Sequence, residues 1–220
     1  MYLQLTPRDI ETFRALNRVR YGRANFLHGL VGGSKQNAHR RLGTLYHAGY
    51  LARPEQQRQS WNARYAPRVY ELTPKSRKVL QDLGVPLNTW TATRQFWHQL
   101  MVADVLLSFQ AAAKTSGLPF RLNGDILGEK PLKLPCYIEW GTQKASKPIE
   151  PDALFAIGDA YFLLEADRNT ENLLIHNLEL NSYLRKLLCY RDVMFNKTTE
   201  KVWSIPQPFI LTVTTSTPHI

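Results

Sequence analysis

Residues 24–48 read ANFLHGLVGGSKQNAHRRLGTLYHA, with two helical patterns on either side of Gly32-Gly33. Apolar residues recur every three or four positions: Ala24, Leu27 and Leu30 before the glycines, and Ala38, Leu42 and Leu45 after them. That spacing is typical of one buried helix face, and Ser34 is a typical residue to cap the start of the second helix. Two short helices joined by a glycine turn predict a helix-turn-helix.

The second of these helices, predicted over residues 35–48, begins with a cluster of cationic and amide side chains. They are Lys35, Gln36, Asn37, His39, Arg40 and Arg41. Guanidinium and amide groups contact phosphates and base edges in the major groove of DNA, so this helix is predicted to read DNA. The alternative is a three-helix domain that binds another protein.

The flanking sequence extends the helix-turn-helix to a winged helix over residues 1–90. Upstream, Thr6-Pro7-Arg8-Asp9 is typical of a helix start. Downstream, two short strand patterns enclose a polar segment, residues 54–65, that contains Arg58 and Arg64. A basic loop between two strands is typical of a wing, so both arginines are predicted to contact DNA.

The net charge of the chain is divided unevenly. Residues 1–90 contain 15 Lys and Arg against 5 Asp and Glu, a net charge of +10, and 12 of those cations are Arg. Residues 91–220 contain 13 of each sign, a net charge of zero. A basic half joined to a neutral half predicts that the first half binds a polyanion, namely double-stranded DNA.

Length and composition predict a globular protein of two domains, residues 1–90 and 91–220. The chain has 220 residues, of which 44% are hydrophobic. No run approaches the ~18 apolar residues of a membrane span, so we expect a cytoplasmic protein without a membrane segment. Cys136 and Cys189 stand apart from any His/Cys cluster, which argues against zinc. They are expected to be two buried thiols, the alternative being one disulfide.

The second half alternates between helix and strand patterns. We predict a helix over residues 91–116, strands over 136–140, 153–157 and 161–167, a helix from about 170 to 195, and a strand over 209–213. This order indicates an α/β domain, so the whole chain is predicted to be α+β.

Three acidic residues fall on the central hairpin of that domain. Gly158-Asp159 is typical of a turn, and folding there brings Asp152 opposite Glu165. Asp167 lies two residues further on, on the same strand face as Glu165. Three converging carboxylates repel each other unless a hard divalent cation binds between them, so we predict a site for Mg²⁺ or Mn²⁺. The alternative is three solvated acids at strand ends.

The same residues resemble a known signature. Pro151-Asp152, followed by Glu165-Ala166-Asp167, is similar to the Pro-Asp…(Asp/Glu)-x-Lys pattern of restriction-endonuclease-like nucleases. Together with the Leu-Thr-Pro-Arg-Asp opening, the helix containing His98 and the Leu-Glu-Ala-Asp-Arg-Asn-Thr-Glu segment from Leu164, the chain resembles the bacterial replication-relaxation family. Related restriction-endonuclease-like relaxases mobilise plasmids.

The resemblance implies a winged helix-turn-helix followed by a restriction-endonuclease-like domain with a mixed sheet. It implies a metal-dependent endonuclease or nickase that acts at the origin of a plasmid or mobile element, with that DNA and a homodimer or relaxosome component as partners. The alternative is a non-catalytic origin- or operator-binding protein whose degenerate nuclease-like domain serves dimerisation or partner contact.

One position departs from the signature, because Asp167 stands where the lysine belongs. Lys186 on the following helix is the candidate replacement, so the predicted catalytic residues are Asp152, Glu165, Asp167 and Lys186. Otherwise the metal acts alone or the site is inactive. Tyr183 and Tyr190 share a predicted helix face with Lys186, and either packs there or contacts DNA, with a nucleophilic tyrosine as the less favoured alternative.

Overall fold

Eight α-helices and nine β-strands lie within residues 3–59, 65–90, 95–168 and 182–215, the residues described by the computed structural model. The helices are α1 (Pro7–Val19), α2 (Ala24–Val31), α3 (Lys35–His47), α4 (Pro74–Asp82), α5 (Phe96–Thr115), α6 (Asn123–Leu127), α7 (Tyr183–Phe195) and α8 (Thr198–Trp203). The strands are β1 (Gly22–Arg23), β2 (Leu51–Ala52), β3 (Val69–Leu72), β4 (Phe120–Leu122), β5 (Tyr137–Trp140), β6 (Gln143–Ser146), β7 (Ala153–Ile157), β8 (Ala160–Asp167) and β9 (Phe209–Thr214). The protein is therefore of the α+β class, as predicted.

Contacts divide the chain into an N-terminal unit, Met1–Ser116, and a C-terminal unit, Gly117–Ile220. This division differs from the boundary expected after residue 90, because α5 belongs to the N-terminal unit. The rings of Tyr21 and Phe96 meet edge to face with centroids 5.0 Å apart. Arg23 Nε also lies 2.7 Å from the Asp104 carboxylate on α5. These contacts tie α5 to the segment between α1 and α2.

The predicted start of α1 is confirmed in detail. The Thr6 side chain accepts the Asp9 N–H, and the Asp9 carboxylate accepts the Thr6 N–H at 2.7 Å. Thr73 and Ser76 make the equivalent pair of bonds at the start of α4. Each pair satisfies backbone N–H groups that a helix leaves without partners in its first turn.

The predicted glycine turn between α2 and α3 is also confirmed. Gly32 and Gly33 have φ values of 71° and 85°, a region that favours glycine. A side chain at Gly33 would in addition meet Arg8, since an added Cβ would lie 2.9 Å from Arg8 Nη1. Both helices bury the apolar face that the spacing predicts: Leu27, Leu30, Leu42 and Leu45.

A three-stranded antiparallel sheet of order β1-β3-β2 completes this part of the N-terminal unit. The predicted strand pair corresponds to β2 and β3. The segment between them begins with a 3₁₀ helix, Glu55–Gln59, whose Gln57 side chain bonds both backbone groups of Val69. Strand β1 was not predicted, because two residues carry no periodic signal.

The C-terminal unit contains a four-stranded sheet of order β4-β7-β8-β9. Strands β8 and β9 are parallel and the other pairs antiparallel, so the sheet is mixed, as predicted. The hairpin between β7 and β8 turns at Gly158-Asp159, with Ile157 paired to Ala160. One face of the sheet packs against α7 in a core that includes Leu154, Leu163, Cys189 and Val193.

Strands β5 and β6 form a separate hairpin. Helix α7 begins at Tyr183, because Ser182 before it is extended and caps the helix, so the helix predicted from about residue 170 to 195 is not continuous through Ser182. Residues 169–181 lie outside the described part of the chain. None of the helices in the described ranges is both long and apolar enough to cross a membrane.

Candidate functional site

The β7–β8 hairpin places Asp152 beside Glu165. Ala153 pairs with Leu164, and the Asp152 N–H donates to the Leu164 carbonyl at 2.9 Å. The Asp152 side chain is fixed as well, because its Oδ2 accepts the Ala166 N–H at 2.7 Å. Two carboxylates from neighbouring strands therefore lie at the same end of the hairpin, opposite the turn. A turn at Gly158-Asp159 predicts this arrangement.

Glu165 is buried, with 4% of its surface exposed, and faces α7. Lys186 Nζ lies 2.8 Å from its Oε2, and the Tyr190 hydroxyl donates to its Oε1. Burial raises the pKa of Glu165 above its ordinary value, and the Asp152 charge adds to this, while Lys186 and Tyr190 act in the opposite direction. Thus α7 supplies a cation and a hydroxyl to one buried carboxylate.

Tyr190 acts in this arrangement as a hydrogen-bond donor. It is 4% exposed, and burial together with the Glu165 charge raises the pKa of its hydroxyl. A tyrosine nucleophile needs the phenolate, which this environment disfavours. The geometry therefore favours a positioning role for Tyr190 over the nucleophilic alternative. Tyr183, at the first position of α7, is half-buried.

Asp167 is buried on the same face of β8 as Glu165, two residues further on. Within the described residues, however, no group of three or more His, Cys, Asp or Glu side chains could hold a metal ion. The hairpin instead assembles a pair of carboxylates, Asp152 and Glu165, with the Lys186 ammonium. Mg²⁺ commonly binds one or two carboxylates and completes its shell with water and substrate phosphate. The chemistry of this donor pair fits such an ion, because each carboxylate oxygen retains a further lone pair.

The predicted DNA-reading side chains of α3 are mostly accessible. Lys35, Gln36, Asn37 and Arg40 are exposed, and His39 is half-buried. Arg40 Nη2 lies 3.3 Å from Asn37 Oδ1, so the guanidinium and the amide lie together on the surface. Arg58 is exposed on the 3₁₀ helix, whereas Arg64 lies outside the described residues.

Arg41 has a structural role that the sequence did not indicate. Its Nε and Nη2 donate to the two oxygens of Asp9 at 3.0 and 2.7 Å, and Nη2 also donates to the Gln4 carbonyl at 2.7 Å. Burial opposes the charge on Asp9, but the bonds from Arg41 and Thr6 outweigh it and lower the pKa of Asp9. The pair joins α3 to the start of α1, so the Arg41 guanidinium is held within the unit, whereas that of Arg40 lies on the surface.

A groove with a volume of about 710 Å³ lies where α1 begins, beside α2 and α3. Its polar lining includes Arg8, His28, Ser34, Asn37, Arg40 and Arg41, and its apolar lining includes Leu27, Leu42 and Leu45. Arg8 was not among the predicted DNA contacts, because the sequence shows it only as part of a helix start and does not show that it lies beside α3. The groove places Arg8 of α1 beside the cations of α3.

Fold and sites together define an α+β protein with a basic helical unit and a second unit that carries a carboxylate–lysine cluster. The sequence profile of the replication-relaxation family matches residues 9–203, which include most of both units, so the chain belongs to this family. No curated protein and no solved structure matches the chain significantly.

Proposed function

We propose that this chain binds double-stranded DNA through a winged helix in its N-terminal unit and nicks DNA at a site of Asp152, Glu165 and Lys186. Its place of action would be the origin of a plasmid or mobile element, in keeping with its family. The carrying observation is the 2.8 Å contact between Lys186 and Glu165, next to Asp152. Two acids and a lysine are the side chains of the restriction-endonuclease-like signature, with the lysine supplied by α7.

The N-terminal unit supports the DNA-binding half of the proposal. The order α1, β1, α2, α3, β2, β3 with an antiparallel sheet is the order expected of a winged helix, in which the third helix would enter the major groove. The exposed first turns of α3 carry Lys35, Asn37 and Arg40. The excess positive charge of residues 1–90 favours the same partner.

In the C-terminal unit, Asp152 and Glu165 would hold Mg²⁺ or Mn²⁺. When bound, such an ion lowers the pKa of a coordinated water and neutralises charge on a phosphodiester. Lys186 lies next to Glu165 and would stabilise negative charge on the phosphate. Tyr190 fixes the orientation of the Glu165 carboxylate through its hydroxyl.

The test uses supercoiled plasmid that carries the origin of the host element, incubated with Mg²⁺ or Mn²⁺ and scored for open circles. Asp152→Asn, Glu165→Gln and Lys186→Met should each abolish nicking, and the first two should also abolish any Mn²⁺-dependent rise in melting temperature. Glu200→Gln, at an exposed position of α8, is the matched control. Nicking by Glu165→Gln at the rate of the wild type would refute the assignment of the site.

A second candidate function is supported by the same carboxylate. Both oxygens of Glu165 already have partners within the unit, Lys186 and Tyr190, so this carboxylate is paired without a metal. The chain would then be a non-catalytic origin- or operator-binding protein whose C-terminal unit serves dimerisation or contact with a relaxosome partner. Retained origin binding without open circles in either metal would favour it, and sedimentation velocity would show whether the chain dimerises.

A further inference from the structure

The C-terminal unit contains a pair of thiols that the proposed function does not use. Sγ of Cys136 lies 2.8 Å from Sγ of Cys189, and the two residues are 6% and 0% exposed. Cys136 precedes β5 and Cys189 lies on α7, so the contact joins two separate elements. We propose that this pair is a redox site that closes reversibly to an intrachain disulfide in response to peroxide.

The surroundings hold the two sulfurs in place. Cys136 Sγ lies 2.9 Å from the Lys147 carbonyl, which also accepts a hydrogen bond from Arg185 Nη2 at 3.2 Å. The residue after Cys136 is also tied to α7, because the Tyr137 N–H donates to Asp192 Oδ2 at 2.9 Å. A disulfide bond of about 2.05 Å is therefore reached by a movement of less than about 1 Å.

The pair is also activated chemically. The hydrogen bond from Cys136 lowers the pKa of Cys189 and raises that of Cys136, and the Arg185 charge favours the thiolate of both. The thiolate is the reactive form of cysteine towards oxidants and disulfides. Cys189 is therefore the sulfur that ionises more readily, and Cys136 is the one that keeps its proton more firmly.

The oxidation balances with one peroxide. The Cys189 thiolate attacks a peroxide oxygen, the O–O bond breaks, and hydroxide leaves to give a sulfenic acid. Cys136 then attacks the sulfenic sulfur, the S–S bond forms, and water leaves with the Cys136 proton. The two sulfurs together lose two electrons, and the two peroxide oxygens gain them. A dithiol reductant reverses the change by thiol–disulfide exchange.

The experiment treats the full chain with hydrogen peroxide, labels the remaining thiols with a maleimide in denaturant, and measures intact mass. We expect the mass of the chain to fall by two hydrogens with no label, and both labels to return after a dithiol reductant. The melting temperature of the oxidised chain should rise by roughly 10 °C, because the bond closes a long loop. Cys136→Ser and Cys189→Ala are the matched variants, and neither should show this mass loss.

Three results would overturn the proposal. The first is that both thiols of the wild-type protein still take up label after treatment with enough peroxide to oxidise a small free thiol completely. The second is a disulfide found only between two chains on a non-reducing gel. The third is a gain of oxygen that the dithiol reductant does not remove. The wild-type masses decide between these outcomes even where a cysteine variant fails to fold, and they do so whether or not the protein nicks DNA.

Discussion

Glu165 and Asp9 are both buried carboxylates with a cationic partner, but their pKa values are shifted in opposite directions. Burial dominates at Glu165, so its pKa is raised even with Lys186 at 2.8 Å. Burial acts in the same direction at Asp9, but the hydrogen bonds from Arg41 and Thr6 and the Arg41 charge together outweigh it, so the pKa of Asp9 is lowered. A buried charge that loses its partner is strongly destabilising, which makes both pairs testable by single substitutions.

Lys186→Met is expected to destabilise the protein by about 2–4 kcal/mol at neutral pH, because Glu165 then stays buried without its cation. A carboxyl whose folded pKa is raised contributes most to stability below its unfolded pKa and loses that contribution as pH rises through the folded pKa. The loss should therefore be larger at about pH 8 than at acidic pH, because a protonated Glu165 no longer places an unpaired charge in the interior. Urea unfolding at the two pH values measures it, with Lys201→Met on α8 as the control. An equal loss at both would contradict this account of Glu165.

Asp9→Asn tests the opposite dependence of stability on pH. Asp9 is 2% exposed and has a lowered pKa, so its contribution is present above the unfolded pKa and lost as pH falls through the folded one. We expect a loss of about 2–3 kcal/mol at neutral pH, from the broken ion pair and the weakened helix cap, that shrinks on acidification. Asp82→Asn, in the exposed pair with Lys78, should change stability by less than about 0.5 kcal/mol. Thermal unfolding between neutral and acidic pH gives both values, and matching losses in the two variants would argue against the Asp9–Arg41 tie.

Among the elements, α5 has the largest effect on how the chain is divided. Phe96 and Leu100 form a buried cluster with Tyr21 and Val69, so α5 covers apolar surface of the N-terminal unit. A fragment of residues 1–90 would leave Tyr21 and Val69 exposed. The N-terminal unit therefore ends after α5 and not before it.

A fragment of residues 1–116 should therefore unfold cooperatively, and a fragment of residues 1–90 should be less stable by several kcal/mol. Each large apolar side chain removed from water contributes about 1.5–3 kcal/mol, and α5 provides at least two, Phe96 and Leu100. Circular dichroism during thermal unfolding of both fragments compares them. If both fragments melted at the same temperature, α5 would not be part of the N-terminal fold.

The sequence predicted those elements whose signals are local. The Thr6-Pro7 helix start, the Gly32-Gly33 turn and the Gly158-Asp159 hairpin depend on neighbouring residues alone, and all are present. An amphipathic pattern shows that a helix has a buried face but not which neighbour covers it, so the sequence did not indicate that α5 packs with the N-terminal unit. The Arg41–Asp9 pair spans 32 residues and leaves no local signal. Lys186 was predicted as the replacement cation because the signature lacks its lysine and the following helix contains one. In the structure its ammonium lies beside Glu165.

Over the whole molecule, charge and chemistry are divided between the two units. The excess of positive charge lies in residues 1–90, while the carboxylate–lysine cluster lies in the half with no net charge. If the site acts on a phosphodiester, as proposed, its acids would repel the phosphate. Affinity for the polyanion would then have to come from elsewhere in the chain, and the basic unit is the proposed source.

Affinity for origin duplex should accordingly depend on exposed cations of α3 and not on Lys186 or Glu165. Arg40→Ala should weaken binding by about tenfold and reduce the slope of log affinity against log salt by about one, because one phosphate or base contact is lost. Lys201→Ala, which removes an exposed cation from α8 in the neutral half, is the matched control and should change neither value. Fluorescence anisotropy with labelled duplex at several salt concentrations measures both.

Arg41→Ala separates a DNA contact from a structural tie. Because both oxygens of Asp9 are bound by Arg41, its removal should lower the melting temperature by several degrees, whereas Arg40→Ala should leave it unchanged. At a temperature where both variants remain folded, Arg40→Ala should show the greater loss of affinity. If instead Arg41→Ala lost more affinity than Arg40→Ala with no change in melting temperature, Arg41 would be a direct contact. The proposed DNA-contacting face of α3 would then include the side that packs on α1.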